Sequence, residues 1–303
     1  MRTPLQGGLL APGTLTGAVV EIACDESGFS GTNLLHPGMP VIAHASVDLR
    51  VDEAVALIEA LRSEFRRSPH ELKSGGLLRG PDAPAARRWL LDALRGRAHV
   101  HLLDKEFFLV TRVVDLLLGE PSYVGGTRLA RAYRREAEAL HRGGRAAGPG
   151  WPAFLGAFVD LVRTKRRVPG AAERFLHARD TLLRAVTDPA AVAVLTAIEA
   201  GRARELPHRR DDDPAIPPPL EPLLPALAET VLTWAGGGRQ VLVTHDEQSA
   251  LTATRLRRLQ AALADGSGRS PLAGLVMADS RTDPRVQVAD LLAGVARRAP
   301  HPA

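Results

Sequence analysis

Short apolar segments that run into an aspartate recur along this chain, and they limit its fold more than any other feature. Residues 17–24, 98–103, 240–244 and 275–278 are rich in β-branched and apolar side chains and are followed, at once or after one residue, by Asp25, Asp104, Asp246 and Asp279. Such segments are typical of buried strands, and their alternation with helical periodicity predicts an α/β fold. Because the carboxyl ends of parallel strands meet at one edge of a sheet, we expect these acids to converge there.

The remaining periodicity predicts how the chain is divided. Further strands are predicted at 39–47 and 70–74, and helices at 51–65, 84–94, 107–118, 127–141, 151–163, 171–186, 190–203, 247–263 and 284–298. Residues 17–118 and 238–298 are expected to form one discontinuous α/β domain. Residues 119–237 are expected to form an all-helical insertion, with an exposed proline-rich connector at 206–225.

Composition excludes several classes of protein. The 303 residues suffice for one large domain with an insertion, and no apolar run approaches the ~18 residues that span a bilayer. The N-terminal segment lacks the sustained apolar stretch of a secretory signal, so we expect a cytoplasmic protein without a membrane partner. A single cysteine, Cys24, excludes an internal disulfide and a multi-cysteine zinc site.

The net charge of +5 leaves two interpretations open. It suits a nucleic-acid partner, but only three of the 39 basic residues are lysines, which favours a general arginine bias instead. Lys73 and Lys105 stand beside acidic positions, and a lysine there is suited to contact a phosphate as a point charge. Both are therefore candidate substrate-binding residues.

Converging carboxylates predict a metal site. Glu71 lies in the segment 70–74 and would join the four aspartates at the same edge of the sheet. Carboxylates that meet repel one another and stay ionised only if a cation neutralises them. Oxygen ligands suit magnesium or manganese, and a pair of such ions ~4 Å apart can activate water and stabilise the leaving oxygen of a phosphodiester.

The last predicted helix adds another acid. Gln287 and Asp290 are three residues apart and share a helix face, and the residues around Asp290 are apolar. A carboxylate in such surroundings needs a partner. That partner is either a metal ion or, in a purely structural interpretation, Arg297 or Arg285.

Several strings together resemble a known family. These are DESGFSG, ELKS, LLDKE, HDEQ and DSRTDPRVQVADLLAG. In this order they are similar to the domain of unknown function 3800 family, for which a ribonuclease-H-like fold is expected. The resemblance covers residues 17–118 and 238–298, and the lysine in ELKS stands where a histidine is commoner. It points to Asp25, Glu26, Ser27, Gly28, Glu71, Asp279, Gln287 and Asp290, and less strongly to Asp104 and Asp246.

Simpler structural roles remain open for the same residues. Asp25 and Glu26 could begin a turn, Asp104 could only end a strand, and Asp283 could cap the last helix. His245 is either a general base or a structural residue.

The leading hypothesis is a ribonuclease-H-like α/β protein that hydrolyses RNA or DNA with Mg²⁺ or Mn²⁺. Its catalytic residues would be Asp25, Glu71, Asp279 and Asp290, its metal ligands these four with Asp104 and Asp246, and its substrate-binding residues Ser27, Lys73, Lys105 and Gln287. The alternative is a non-catalytic interaction protein, in phage defence or mobile-element biology, that keeps the fold. An actin-like ATPase is excluded, because Gly28 is three residues after Asp25 where the phosphate loop needs two.

Overall fold

A computed structural model describes most of the chain. The described residues are 8–11, 15, 17–29, 33–66, 73–130, 132–163, 168–212 and 216–298, without the side chains of 209–212. The strands are β1 (Val19–Ser27), β2 (Val41–Val47), β3 (Ala98–Asp104), β4 (Gln240–Asp246) and β5 (Leu272–Ala278). The helices are α1 (Val51–Glu64), α2 (Ser74–Leu77), α3 (Ala83–Ala93), α4 (Lys105–Leu117), α5 (Arg134–Ala146), α6 (Gly150–Val162), α7 (Ala171–Ala185), α8 (Pro189–Ala197), α9 (Ala200–Asp212), α10 (Leu223–Ala235), α11 (Ala253–Leu263) and α12 (Pro284–Arg297).

The described strands form one mixed sheet, in the order β3-β2-β1-β4-β5. Strand β2 is antiparallel to β1, whereas β4 is parallel to β1 and β5 is parallel to β4. The predicted α/β class is therefore confirmed. The carboxyl ends of β1, β4 and β5 lie at one edge of the sheet, because these three strands run in the same direction.

The chain divides into two compact units. The first comprises Met1–Phe29, Val41–Leu103 and Ala226–Ala303, and the second comprises Ser30–Pro40 and Asp104–Pro225. The described helices α4 to α9 belong to the second unit. The boundary between the two units falls at Asp104, so α4 belongs with the later helices. The sequence analysis had placed the boundary after residue 118, which would have kept α4 with the sheet.

Helix α12 supplies much of the apolar core of the first unit. Its carboxylate cap is Asp283, which accepts a hydrogen bond from the backbone N–H of Arg285, and Pro284 occupies the first turn. The helix packs on β1 and β2 and against α1. The shared core includes Ala23, Ala45, Val47, Ile58, Leu61, Val288, Leu291, Leu292 and Val295. This packing places one face of α12 directly over β1.

Close helix contacts in the second unit depend on glycine. A Cβ atom at Gly143 would lie 2.5 Å from the Cβ atom of Ala191, and one at Gly144 would lie 2.2 Å from the ring of Trp151. Side chains larger than hydrogen at these two positions of α5 are therefore excluded by α8 and by the Trp151 ring.

Four predicted elements need correction. Helix α5 begins at Arg134 rather than at 127, because residues 127–130 form turns and Tyr133 adopts a left-handed conformation with a φ of 62°. The predicted helix 190–203 is two helices, α8 and α9, and helix α11 begins at Ala253 rather than at 247. Of the predicted strand 70–74, residues 70–72 lie outside the described residues and Ser74 begins α2.

The predicted exposed connector at 206–225 is wrong. Residues 206–212 belong to α9, which contains Pro207, and Ile216, Leu220 and Leu224 are buried. The aliphatic side chains between the prolines bury themselves in preference to remaining in water. Among the described helices, none has both the length and the apolar character that crossing a membrane requires.

Candidate functional site

The two neighbouring acids at the end of β1 face opposite sides of the sheet. Side chains alternate along a strand, so Asp25 shares a face with its cross-strand neighbour Ala45, and Glu26 shares the other face with His44. Ala45 belongs to the core beneath α12. We call these two sides the α12 face and the α10 face, because Thr230 of α10 contacts His44 on the second.

On the α12 face, the charges of Asp246 and Asp290 act on Asp25. Asp25 is 7% exposed, and its pKa is raised to about 9. Burial is the largest cause, and the charges of Glu26, Asp246 and Asp290 raise the pKa further. The chain thus brings together three predicted ligands from β1, β4 and α12: Asp25, Asp246 and Asp290.

Backbone N–H groups hold two of these carboxylates. Asp25 Oδ1 accepts a hydrogen bond of 2.7 Å from the N–H of Glu26, which opposes the rise in the pKa of Asp25. Asp246 Oδ1 accepts a hydrogen bond of 3.2 Å from the N–H of Ser280. The loop after β5 therefore orients the acid at the end of β4.

A second polar group lies on the α10 face. Glu26 Oε1 accepts a hydrogen bond of 2.7 Å from Gln248 Nε2. Glu26 Oε2 is buried, has no hydrogen-bond partner among the described residues and lies 4.0 Å from His245 Nε2. This half of the carboxylate faces a ring nitrogen across a distance too long for a hydrogen bond.

His245 belongs to a buried chain of hydrogen bonds that also includes His44 and Thr230. Its Nδ1 atom lies 2.9 Å from the backbone oxygen of Asp246, which can only accept, so Nδ1 carries the proton. The Nε2 atom of His245 lies 3.1 Å from His44 Nε2, and His44 Nδ1 lies 2.8 Å from the hydroxyl oxygen of Thr230. Burial, followed by the charge of His245, lowers the pKa of His44 well below its usual value. His44 is consequently neutral, so one of its ring nitrogens donates a hydrogen bond and the other accepts one.

Asp279 has local basic partners. Its carboxylate accepts bonds from Arg281 Nε at 3.0 Å and from the Arg281 backbone N–H at 2.8 Å. These bonds are the main cause of a pKa lowered to about 2, and the charge of Lys73 contributes. The structure therefore brings together two predicted site residues, Asp279 and Lys73, and gives Asp279 an arginine partner in its own loop.

Two further predicted substrate-binding residues, Ser27 and Gln287, lie in the first unit; Ser27 is partly exposed, whereas Gln287 is buried. Ser27 Oγ accepts a hydrogen bond of 2.9 Å from Arg297 Nε. Gln287 is buried, with 8% of its surface exposed. Arg285 is paired with its helix cap, Asp283, at 2.6 Å. The arginines considered as structural partners of Asp290 thus hydrogen-bond to Ser27 and Asp283.

Asp104 and Lys105 lie in the second unit. The exposed carboxylate of Asp104 accepts a hydrogen bond of 2.8 Å from the N–H of Phe107 and caps α4. Lys105 is 1% exposed, so its ammonium group is closed to a phosphate from solvent in this conformation. Glu71 lies outside the described residues.

The second unit also contains an open groove of about 560 Å³. Its lining is mainly leucine, alanine and valine from α4, α5 and α8, with charged side chains from α5 and α9. The lining includes Leu117, Leu118, Tyr133, Ala139, Val194 and Arg202. None of the predicted site residues lines this groove.

The α10-face residues were missed as a group by the sequence analysis. His44 and Ser46 alternate in β2, whose seven residues are all buried. Ser46 accepts a hydrogen bond of 2.8 Å from Trp234 Nε1, so both polar side chains of this strand have partners on the same face. Two polar residues spaced by two in an otherwise apolar strand were the available signal for a buried polar network.

The fold and the site define an α/β protein with a carboxylate cluster at the carboxyl ends of parallel strands. Within the described ranges, no three histidine, cysteine, aspartate or glutamate side chains are grouped so that they could hold a metal ion. The chain matches no protein family, no curated protein and no solved structure.

Proposed function

We propose that this protein is a divalent-metal-dependent phosphodiester hydrolase acting on RNA or DNA. The single observation that carries the proposal is the convergence of Asp25, Asp246 and Asp290 on the α12 face, where burial, followed by the charges of Glu26, Asp246 and Asp290, raises the pKa of Asp25 to about 9. Without a compensating cation, Asp25 is protonated at neutral pH. A divalent cation would offset this repulsion and stabilise the ionised carboxylate.

The donor chemistry fits magnesium or manganese. All three side chains offer oxygen, which these hard cations prefer, and two of them are already held by backbone N–H groups. Because no ready-made group of ligands occurs in the described residues, the side chains would have to close around the ion. A bound ion would supply a water of lowered pKa and Lewis-acid stabilisation of the leaving oxygen.

The protein's own groups would divide the remaining work. Asp25, Asp246 and Asp290 would hold the cation at the edge of the sheet, and the N–H of Ser280 would keep Asp246 oriented. Lys73, whose charge acts on Asp279, would contact a phosphate of the substrate backbone. The predicted ligands Glu71 and Asp104 are not needed for this minimal set of three.

The sheet supports the ribonuclease-H-like proposal. In such folds antiparallel strands precede parallel ones, and here β2 is antiparallel to β1 while β4 and β5 run parallel. A helix after the last strand that brings Asp290 to the end of β1 agrees with the resemblance to the domain of unknown function 3800 family. The helices of the second unit would then be an insertion between β3 and β4.

The test combines metal binding with cleavage. Calorimetry with Mn²⁺ in two buffers of different ionisation enthalpy should detect a proton released on binding, because Asp25 must ionise. The same preparation should cleave single- or double-stranded oligonucleotides in the presence of Mn²⁺, and addition of a chelator should stop the cleavage. Asp25→Asn and Asp290→Asn should each remove both signals, whereas Glu59→Gln, an exposed carboxylate of α1, should change neither.

An inert result has a defined meaning. If the wild-type protein neither binds Mn²⁺ nor releases a proton, the hydrolase proposal fails. The non-catalytic interaction protein then becomes the better account, in agreement with the absence of a grouped ligand set among the described side chains.

A further inference from the structure

Arg297 occupies a particular position relative to the carboxylate cluster. Helix α12 runs along β1 in the same direction. Going along both elements, Glu21 interacts electrostatically with Arg285, Asp25 interacts electrostatically with Asp290, and Ser27 is hydrogen-bonded to Arg297. Arg297 is seven residues beyond Asp290, so it lies on nearly the same helix face and ~10 Å further along the axis. Ser27 is two strand residues beyond Asp25, or about 6.6 Å.

The stem of Arg297 is fixed by two residues of the DESG string. Its Nε atom donates a hydrogen bond of 2.9 Å to Ser27 Oγ. A Cβ atom at Gly28 would lie 2.6 Å from Arg297 Cδ and 2.5 Å from the backbone oxygen of Val41, and the φ of Gly28 is +96°. Glycine is thus required at this position to admit the arginine stem.

The outer edge of the guanidinium remains available. Among the described residues the Arg297 side chain has one hydrogen bond, through Nε, which leaves the two terminal nitrogens for a ligand. Arg297 is half-buried, and burial, followed by the charge of Arg298, lowers its pKa from the ordinary value. A partly desolvated cation of this kind gains from an anionic partner.

We propose that Arg297 binds a phosphate oxygen of the nucleic-acid substrate next to the scissile phosphodiester, with Ser27 and Gly28 as its positioning residues. This inference rests on the proposed function, because it names a substrate contact of the same site. The planar fork of an arginine suits two oxygens of one phosphate, and its charge offsets part of the repulsion between the substrate and three carboxylates.

The experiment compares three variants in Mn²⁺-dependent cleavage of a fluorescent oligonucleotide. Arg297→Met keeps the stem on Gly28 but removes the charge, Arg297→Lys keeps the charge but not the fork, and Arg298→Met removes an exposed charge one residue away. Arg297→Met should raise KM at least about tenfold, while kcat falls less than about threefold. The salt dependence of log kcat/KM should become shallower by about one.

The other variants make the result specific. Arg297→Lys should recover the salt dependence but only part of KM, and Arg298→Met should stay within about twofold of wild type in both. Thermal unfolding of all three should agree within ~3 °C. The proposal for Arg297 is overturned if Arg297→Met and Arg298→Met have the same KM and salt dependence while wild type cleaves. If wild type shows no metal-dependent cleavage, the proposed function fails and the Arg297 contact fails with it.

Discussion

His44 Nε2 lies 3.1 Å from His245 Nε2, and this bond joins β2 to β4 on the α10 face although β1 lies between the two strands. This series of hydrogen bonds continues to Thr230 at one end and to the backbone oxygen of Asp246 at the other. The strand end that carries Asp246 is therefore fixed by a buried network on the side of the sheet opposite to the carboxylate cluster.

We expect removal of the Thr230 hydroxyl to destabilise the protein. Thr230→Val keeps the shape of the side chain but leaves His44 Nδ1 buried without its hydrogen-bond partner, which should cost about 1–3 kcal/mol. Thr196→Val is the control, because the exposed Thr196 hydroxyl donates to the Val192 backbone oxygen within the same helix. Denaturant unfolding measures both, and equal losses would contradict the described network.

The stability of the metal-free protein should depend on the ionisation of Asp25. Its folded pKa of about 9 lies above its ordinary value of 3.8, so the folded state binds the proton more tightly than the unfolded state. The contribution of Asp25 is full below about pH 4 and is lost as pH rises through about 9. Asp25→Asn cannot ionise, and it should be more stable than wild type by several kcal/mol at pH 8 in chelator, but not at pH 4. A variant less stable than wild type at pH 8 would exclude this effect.

Asp279 should titrate in strongly acidic solution. Its pKa of about 2 is caused first by the side-chain hydrogen bonds of Arg281. In a carboxyl ¹³C NMR titration, Arg281→Gln should move the midpoint towards the ordinary value of 3.8, and Lys73→Gln should move it less. No movement in Arg281→Gln would show that the loop does not hold this pair in solution.

Two substitutions separate the roles considered for Asp104. As a helix cap, Asp104 should tolerate Asn, which caps equally well, and lose about 1 kcal/mol on substitution by Ala. As a metal ligand, it should lose Mn²⁺-dependent activity in both variants. We expect the first pattern, with Asp104→Asn retaining stability and cleavage. Loss of cleavage in Asp104→Asn without loss of stability would return Asp104 to the ligand set.

Two glycine substitutions should have opposite effects. A Cβ atom at Gly144 would lie within 3 Å of the Trp151 ring, so Gly144→Ala should destabilise by about 1–3 kcal/mol despite the higher helix propensity of alanine. Gly156 in α6 has open space around the position of a Cβ atom, and Gly156→Ala should stabilise by about 0.5–1 kcal/mol. Chemical denaturation of the two variants in parallel provides the comparison.

Periodicity predicted the sheet more reliably than the site. The strands at 39–47, 98–103, 240–244 and 275–278 and the helix at 284–298 are close to β2, β3, β4, β5 and α12, because each is a strongly apolar and periodic segment. Helix α2 has four residues, too few to show a helical period, and its first residue, Ser74, ends the segment 70–74 that the sequence predicts as a strand. The start of α5 was missed because nothing local marks the left-handed Tyr133.

For the site, the sequence indicated which acids end strands but not which acids meet. Asp25, Asp246 and Asp290 meet because the register of β1 and β4 and the path of α12 bring them together, and these are tertiary properties. Asp279 and Asp104 have the same local pattern but are bound by Arg281 and by the N-terminus of α4. Position at a strand end therefore does not distinguish a cluster member from a helix cap.

Strand β1 carries Asp25 to one side of the sheet and Glu26 to the other. Deleting one residue of β1 before Asp25 would shift the register of the following residues by one. Glu26 would then lie under α12, and Asp25 would lie beside His44 and His245. Length variation within β1 should therefore be tolerated far less than length variation in the loops that flank it, and two-residue changes should be better tolerated than one-residue changes.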